Sequence, residues 1–219
     1  MRYYPVNLDI QNRRCLVVGG GSVGTRKVIT LLECGAAVTV VSPIITEKLA
    51  ELADSSSIEL KKRHYHTSDI DGMFLIIGAT DDEELNRRIH RDAEHLNKLC
   101  NIADRPEACN FILPSIIHRG DLIIAISTSG KSPAFAKYLR QKLEKEFGTE
   151  YADFLELMGV IRKKLLSEEH APEAHKPVFE KLIESRLLDM IKNSQTEDIN
   201  ALISEILGEE YTFESLLTV

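Results

Sequence analysis

The first hundred residues alternate between apolar segments and segments with helical spacing. Residues 23–33, with Val28 and Leu31 on one side, predict a helix, and Thr46 and Thr80 are placed to begin two more helices. The remaining segments are apolar throughout or alternate with polar residues and predict five strands: 15–18, 38–41, 58–65, 73–79 and 99–103. Strands that alternate with helices predict a parallel α/β sheet of the Rossmann type with right-handed crossovers.

After Pro106 the pattern changes from alternating strands and helices to a hairpin. Residues 111–118 and 122–127 flank a short turn at 119–121, and a helix is predicted from 134 to about 147. Beyond Gly148, apolar residues recur every three or four positions, which predicts helices. We therefore predict a Rossmann domain, a small α+β segment and a helical C-terminal domain, over residues 1–112, 113–147 and 148–219.

Composition and charge exclude several classes of protein. The 219 residues carry a formal net charge of -7, which argues against nucleic acid as the main partner. No apolar run approaches the ~20 residues that span a membrane, and the N-terminus lacks the apolar region of a signal peptide, so we expect no membrane association and a cytoplasmic protein. The four cysteines form no C-x-x-C pair, which favours buried thiols over zinc ligands or disulfides.

A glycine-rich turn after the first strand carries the clearest chemical signal. Gly19, Gly21 and Gly24 have the G-x-G-x-x-G spacing, in which the glycines allow a tight turn, approach of a pyrophosphate and close helix packing. The helix that follows would offer unpaired N–H groups to the phosphates. A plain strand-to-helix turn is the alternative interpretation of these three residues.

Two other features test the nucleotide hypothesis. A dinucleotide fold usually places an acid about 20 residues past the glycines, where this chain has Ser42 and Pro43 with no arginine beside them, so no charge there selects NAD or NADP. Residues 130–132 resemble half of a phosphate-binding P-loop. Ala125 replaces the glycine that a P-loop requires and Pro133 follows directly, which argues against a nucleoside triphosphatase.

Taken together, six motifs within residues 1–147 carry a family resemblance. They read VVGGGSVGTRK at 17–27, GAAVTVVSP at 35–43, ATD at 79–81, NIAD at 101–104, FILPS at 111–115 and SGKSP at 129–133. In these motifs the chain resembles the precorrin-2 dehydrogenase/sirohydrochlorin ferrochelatase family, the N-terminal module of siroheme synthases. The resemblance implies NAD-dependent oxidation of precorrin-2 to sirohydrochlorin, a homodimer built through the 113–147 segment and, in some members, iron insertion.

The resemblance also implies which residues form the site. It places the catalytic carboxylate at Asp104, whose alternative role is to cap the turn that follows. Gly24 stands where many members have alanine, which should only ease helix packing, and Thr128 stands where serine is common. The glycine motif, the end of the second strand and the resemblance together predict the cofactor-binding residues. They are Gly19, Gly21, Ser22, Val23, Gly24, Ser42, Pro43, Ile44, Thr80, Asp81, Asn101 and Ile102.

A tetrapyrrole substrate carries many carboxylates, which an acidic protein can bind only through a local basic surface. Such residues cluster on the hairpin turn and the helix after it, where they could form charge-assisted hydrogen bonds or simply a solvated basic helix face. The predicted substrate-binding residues are His118, Arg119, Lys131, Lys137 and Arg140, with Lys142 nearby.

The sequence leaves a rival function and a further activity open. A Rossmann domain with a dimerisation segment could report redox state as a non-catalytic NAD-sensing module. The histidines at His64 and His66, and those at His170 and His175, lack a third ligand nearby in the sequence, so we expect no metal site. Whether the chelatase step accompanies the dehydrogenase is not decided by the residues.

Overall fold

The computed structural model describes residues 2–103, 105–167, 175–209, 211–213 and 216. The chain forms two compact units that divide between Leu113 and Pro114. The second unit contains residues 114–147 of the predicted 113–147 segment together with the C-terminal helices, so the further boundary near residue 148 stays a prediction.

The first unit is built on a parallel sheet of five strands in the order β3-β2-β1-β4-β5. The chain runs outward from β1 to β3, then returns to the other side of β1 for β4 and β5. The strands are β1 (Arg14–Gly20), β2 (Ala37–Ile45), β3 (Glu59–Lys61), β4 (Leu75–Gly78) and β5 (Leu99–Ile102). This order and direction confirm the predicted Rossmann-type sheet.

Helices cover both faces of the sheet, because the apolar side chains of its central strands point alternately to each side. Val17 packs with Val28 and Leu49 on one face, while Leu16 packs with Ile89 on the other. The helices of the first unit are α1 (Ser22–Glu33), α2 (Glu47–Asp54) and α3 (Glu83–His95).

Strand β2 is longer than predicted. The expectation that it ends at Val41 is wrong, because the strand continues through Pro43 to Ile45. Its pairing with β1 shifts register between Val18 and Gly20, so that Gly20 stands opposite Ile45. The shift makes room for a proline, which has no N–H to donate, beside the end of β1.

Strand β3 is shorter than the predicted 58–65. After Lys61 the chain leaves the sheet, and the Arg63 guanidinium forms two hydrogen bonds with the buried carboxylate of Asp69, at 2.7 and 2.6 Å. Asp69 also accepts a hydrogen bond from the backbone N–H of His66, at 2.9 Å. These bonds hold residues 63–66 in a loop, so His64 and His66 do not share a strand face.

Helix α3 begins two residues later than its predicted capping box. Asp82, not Thr80, is the N-cap, and its carboxylate accepts a hydrogen bond from the Leu85 N–H at 3.0 Å. The helix ends at His95 rather than near residue 98, since Asn97 takes a left-handed conformation with φ of 51°.

The second unit begins with an antiparallel hairpin followed by a helix, β6 (Ser115–Arg119), β7 (Leu122–Ile126) and α4 (Pro133–Leu143). The hairpin starts later than residue 111, because Asn101 on β5 donates a hydrogen bond to the Phe111 carbonyl, at 3.1 Å. Helix α4 ends before residue 147. The Arg119 guanidinium donates to the carbonyl of the C-cap residue Glu144 and to that of Phe147 in the turn that follows, at 3.4 and 2.9 Å.

The remaining described residues of this unit are mostly helical and share one apolar core. Leu157, Leu182 and Ile203 are fully buried in that core. The helices are α5 (Glu150–Ser167), α6 (Lys176–Glu184), α7 (Leu187–Lys192) and α8 (Thr196–Leu207). The prediction that the C-terminal region is helical is therefore confirmed.

Candidate functional site

The glycine loop, residues 19–24, joins the end of β1 to the start of α1 at the carboxyl end of the sheet. Gly19 has a φ of 114°, and a β-carbon there would stand 2.1 Å from the Ala79 carbonyl oxygen. A β-carbon on Gly24 would stand 2.0 Å from the Gly19 oxygen, and one on Gly20 would stand 2.5 Å from the Ile44 oxygen. These three glycines are needed because backbone approaches backbone. The spacing rule did not single out Gly20, although the run of three glycines was visible.

Gly21 differs from the other three glycines. It is the N-cap of α1 in an extended conformation, and no described atom beyond its chain neighbours lies within 4 Å of a β-carbon built there. The first turn of α1 contains no acidic residue. Its N–H groups, with Ser22 and Val23 at the front, lack partners within the helix and carry the positive end of the helix dipole. The space in front of Gly21 is therefore open where the glycine spacing predicts a pyrophosphate, beside the N–H groups of Gly21, Ser22 and Val23.

Two threonines that the sequence did not assign to the site brace this loop. The Thr25 hydroxyl donates to the Gly21 carbonyl at 2.9 Å, and its oxygen lies 2.8 Å from the Thr46 hydroxyl. The Thr46 N–H donates to the Gly20 carbonyl at 3.0 Å. Thr46 was predicted only as a helix cap, a role it also has through the Leu49 N–H. The loop is thus tied to the start of α2.

A groove of about 520 Å³ runs along the outer side of α1, from the glycine loop toward the end of the helix. Its lining has two cationic side chains, one acidic side chain, one isoleucine and four hydroxyl groups. The lining residues are Ser22, Thr25, Arg26, Ile29, Thr30, Glu33, Thr46 and Lys48. The cations of this groove are Arg26 and Lys48, and Lys48 is paired with Glu51 at 2.9 Å.

The predicted residues on β2 have different surroundings. Ser42 is buried, and its hydroxyl donates to the Ile44 carbonyl at 2.6 Å. Pro43 and Ile44 are exposed, and Ile44 is 80 % exposed. The Ser42 hydroxyl therefore holds the end of the strand, and the exposed pair presents apolar surface beside the loop.

The loop between β4 and α3, residues 79–82, is called the Thr80 loop. It lies directly against the glycine loop. Thr80 is half-buried and donates its hydroxyl to the Asn86 side-chain oxygen at 3.0 Å, while Asp81 is exposed. On β5, Asn101 is buried and Ile102 is 2 % exposed. The structure thus brings Thr80 to the glycine loop, leaves Asp81 exposed beside it in the chain, and directs the Asn101 amide nitrogen to the Phe111 carbonyl.

Asp104, the predicted catalytic carboxylate, lies outside the described residues. The residue before it, Ala103, donates its N–H to the Gly78 carbonyl at 2.8 Å, so the chain leaves β5 at the carboxyl edge of the sheet. Nearby, the Cys109 thiol accepts from the Ile102 N–H at 3.2 Å and donates to the Arg105 carbonyl at 3.1 Å. Burial raises the pKa of Cys109, and it raises the pKa of Cys100 to about 12, so both thiols stay protonated and unreactive at neutral pH.

The predicted substrate-binding residues, all in the second unit, fall into two groups. Arg119 binds backbone carbonyls at the end of α4, and Arg140 forms an ion pair with Glu144 at 2.5 Å. His118, Lys131 and Lys137 are exposed. The arginines are thus engaged within the unit, and the lysines and His118 face solvent.

Within the described ranges, no group of three or more histidine, cysteine or acidic side chains is placed to hold a metal ion. His66 caps a short 3-10 turn, His175 is buried, and His170 lies outside the described residues.

Comparisons with known proteins match both units. Residues 6–115 match the model of an NAD(P)-binding family, and residues 119–146 match that of the central region of sirohaem biosynthesis proteins. The chain belongs to the precorrin-2 dehydrogenase/sirohydrochlorin ferrochelatase family. The resemblance seen in the sequence is therefore confirmed, and so is a nicotinamide dinucleotide, NAD, as the cofactor of this fold.

Individual relatives of this family agree. The chain is 34% identical to the siroheme synthase of Nitrosococcus oceani and 36% identical to that of Actinobacillus succinogenes, over 94% and 96% of its own length. It spans 44% of the length of each of these proteins. The solved structure of the precorrin-2 dehydrogenase SirC superposes with a TM-score of 0.79 at 25% identity, over 95% of this chain and 100% of that one. Among the residues that the structure describes, no helix is both long and apolar enough to cross a membrane.

Proposed function

We propose that this protein oxidises precorrin-2 to sirohydrochlorin with NAD as the hydride acceptor. The observation that carries the proposal is the open space in front of Gly21, at the unpaired N-terminus of a helix in a family of dinucleotide-binding proteins. The SirC likeness supports the choice of substrate, since that protein is a precorrin-2 dehydrogenase. The four cysteines are free thiols, which supports action in a reducing compartment such as the cytoplasm.

In this mechanism the chain binds and orients the cofactor and receives a proton. The N–H groups at the start of α1 bind the pyrophosphate, and the loop after β4 forms the adjoining wall. When bound, NAD supplies a nicotinamide ring that accepts the hydride. Precorrin-2 also loses a proton, and we assign its acceptor to Asp104, which follows the carboxyl end of β5, where open α/β sheets bind their ligands.

The test of this assignment is the Asp104→Asn variant, assayed anaerobically with precorrin-2 and NAD by the absorbance of sirohydrochlorin. Loss of a general base lowers rates by about 10²–10⁴-fold, so we expect such a fall with NAD binding retained. The matched control is Asp54→Asn at the exposed end of α2, which should turn over at the parent rate. Turnover at the parent rate by Asp104→Asn would contradict the assignment.

The same assay separates the remaining functions. A parent protein that binds NAD but oxidises no precorrin-2 would be the NAD-sensing module instead of an enzyme. Addition of ferrous iron to the sirohydrochlorin formed would reveal chelatase activity as formation of sirohaem. If Asp104 also accepts the pyrrole protons during metal insertion, Asp104→Asn should lower both rates together.

We assign the carboxylates of the substrate to the exposed cations of the second unit. Lys131 and Lys137 are not paired with an acid in the described ion pairs, whereas Arg140 is bound to Glu144. Replacing both lysines by alanine should raise KM for precorrin-2 and leave KM for NAD unchanged, because only the substrate carries the matching charges. Lys145→Ala, on the turn after α4, is the control and should change neither constant. An unchanged KM for precorrin-2 in the double variant would contradict this surface.

A homodimer belongs to the proposal because the second unit exposes apolar side chains on its hairpin and on α4. Ile116 and Ile123 on the outward side of the hairpin are 44% and 52% exposed. On α4, Phe135 and Tyr138 are 52% and 59% exposed, with their rings stacked at 6.2 Å. A two-stranded sheet with exposed isoleucines is an aggregation risk unless it is covered, and a second copy of the chain would cover it symmetrically.

Sedimentation velocity at micromolar concentration tests the dimer. We expect the parent protein to sediment as a dimer and Ile123→Lys to sediment as a monomer, since a charge would have to be buried in the interface. Ile183→Lys is the control, because Ile183 is 62% exposed on α6, away from the hairpin in the sequence. A stable parent monomer, or an Ile123→Lys dimer, would contradict the proposal.

A further inference from the structure

We propose that Asn86, a buried residue of α3, is a positioning residue that fixes the loop between β4 and α3 as a wall of the cofactor site. This inference rests on the proposed function and deepens it, because it names a residue that acts on the cofactor through the Thr80 loop. The sequence offered no sign of it, since Asn86 lies within a helix and outside the family motifs.

The side chain of Asn86 is paired at both ends with a single residue of the loop. It is 8% exposed, its amide nitrogen donates to the Thr80 carbonyl at 2.8 Å, and its oxygen accepts from the Thr80 hydroxyl at 3.0 Å. The Thr80 hydroxyl also lies 3.2 Å from the Asp82 carbonyl. A buried amide is costly unless paired, so these bonds define one position for the Thr80 backbone.

The loop that Asn86 holds packs on the glycine loop. Ala79 donates its N–H to the Val18 carbonyl at 2.8 Å, and the Ala79 oxygen lies 2.1 Å from where a β-carbon on Gly19 would stand. A shift of the Thr80 backbone therefore moves the residue that touches Gly19. Gly78 leaves space for the amide, because a β-carbon there would stand 3.3 Å from the Asn86 oxygen.

Helix α3 itself does not depend on this amide. Its N-cap is Asp82, which accepts the Leu85 N–H at 3.0 Å, and the Asn86 backbone N–H donates to the Asp82 carbonyl at 3.0 Å, as in any helix. The side chain of Asn86 thus serves the loop. Both of its functional groups are used, so aspartate, which has no N–H to donate, cannot replace it.

The hydrogen bonds of Asn86 affect the cofactor because the Thr80 loop lies at the ligand-binding edge of the sheet. The chain order reverses between β1 and β4, which lie side by side with Val18 opposite Gly78. Open α/β sheets bind their ligands in the crevice at this reversal, beyond the carboxyl ends of the two strands. The glycine loop forms one side of that crevice, and the loop fixed by Asn86 forms the other.

The experiment measures NAD binding and turnover in Asn86→Ala, Asn86→Asp and a matched control, each well below its melting temperature. Loss of a buried hydrogen-bond pair should weaken NAD binding by calorimetry about tenfold, with a matching rise in KM for NAD and no change in KM for precorrin-2. The control is Asn110→Ala. Asn110 also makes two backbone hydrogen bonds, accepting from the Cys100 N–H at 2.9 Å and donating to the Lys98 carbonyl at 2.7 Å, at the opposite end of β5.

Comparison of the Asn86 variants with Asn110→Ala separates a positioning role of Asn86 from a purely structural one. We expect Asn110→Ala to lower the melting temperature and leave NAD binding unchanged. Thr80→Val removes the partner hydroxyl, and combined with Asn86→Ala it should weaken NAD binding by less than the product of the two single effects, since both break one network. Unchanged NAD affinity in both Asn86 variants would overturn the proposal. A parent protein that binds no NAD would instead overturn the proposed function.

Discussion

Gly24 in α1 faces the carbonyl oxygen of Gly19 so closely that a β-carbon on Gly24 would stand 2.0 Å from that oxygen. This contact sets the distance between helix and strand and holds the first turn of α1 above the end of β1. The family resemblance suggested that glycine in place of alanine only eases the packing. In this structure the opposing atom belongs to the backbone, which cannot rotate away from a methyl group.

We therefore expect Gly24→Ala to destabilise the protein by about 1–3 kcal/mol, the usual cost of overpacking, and to weaken NAD binding. Denaturant unfolding and calorimetry measure the two effects. Gly159→Ala is the control. Apart from the neighbouring residues and backbone of α5, no described atom lies within 4 Å of a β-carbon built on Gly159. Alanine has the higher helix propensity, so Gly159→Ala should raise the free energy of unfolding by up to about 1 kcal/mol. Parent stability in Gly24→Ala would contradict the close approach.

At Gly21 we expect a substitution to affect NAD binding strongly and stability little. Gly21→Asp should abolish NAD binding and leave the melting temperature close to that of the parent, because the backbone there is extended and the β-carbon meets open space. The added carboxylate would occupy the place of the pyrophosphate and repel it. Gly21→Ala, which adds no charge, should bind NAD more tightly than Gly21→Asp. Calorimetric titration with NAD makes the comparison, and retained affinity in Gly21→Asp would rule out the loop as the phosphate site.

NAD should be preferred to NADP. The Ser42 hydroxyl is bound to the Ile44 carbonyl, and the exposed residues that follow are apolar. A charge-assisted hydrogen bond contributes about 1.5–3 kcal/mol, so its absence at the 2′-phosphate predicts at least about tenfold lower kcat/KM with NADP. Comparable kcat/KM for the two cofactors would contradict this prediction. Arg26→Ala and Lys48→Ala would then show whether the groove along α1 binds the phosphate.

The ion pair of Asp69 should make stability depend on pH in the acid range. The hydrogen bonds from Arg63 lower the pKa of Asp69 from 3.8 to about 2. The folded state therefore gains about 2 kcal/mol above pH 3.8, and this gain is lost as the pH falls from there through about 2.

Asp69→Asn should therefore lower the free energy of unfolding by about 2 kcal/mol at neutral pH, and its difference from the parent should narrow as the pH falls below about 4. Denaturant unfolding at a series of pH values measures this dependence. Asp71→Asn is the control, since Asp71 is exposed at the end of the same 3-10 turn, and it should follow the parent at every pH. A constant difference between Asp69→Asn and the parent from neutral pH to pH 3 would exclude the lowered pKa.

Much of the fold was predictable because local patterns decide it. The apolar run around Ile76 has one stable position, in a strand buried on both faces, and Gly35 stops α1 by adopting a positive φ. The ends of elements were not predictable in the same way. Strand β3 stops where Arg63 meets Asp69, and β2 continues to Ile45 because Gly20 pairs with it.

The sequence by itself determined the class of fold, the family and the place of the glycine loop, because helix period, strand period and glycine spacing are properties of neighbouring residues. Only the tertiary structure decided which polar groups serve the site. It bound Arg119 to the end of α4, directed the Ser42 hydroxyl to the backbone and placed Asn86 on the Thr80 loop. The partner of a hydrogen-bonding side chain depends on distances through space between segments far apart in the chain, and no spacing along the sequence contains those distances.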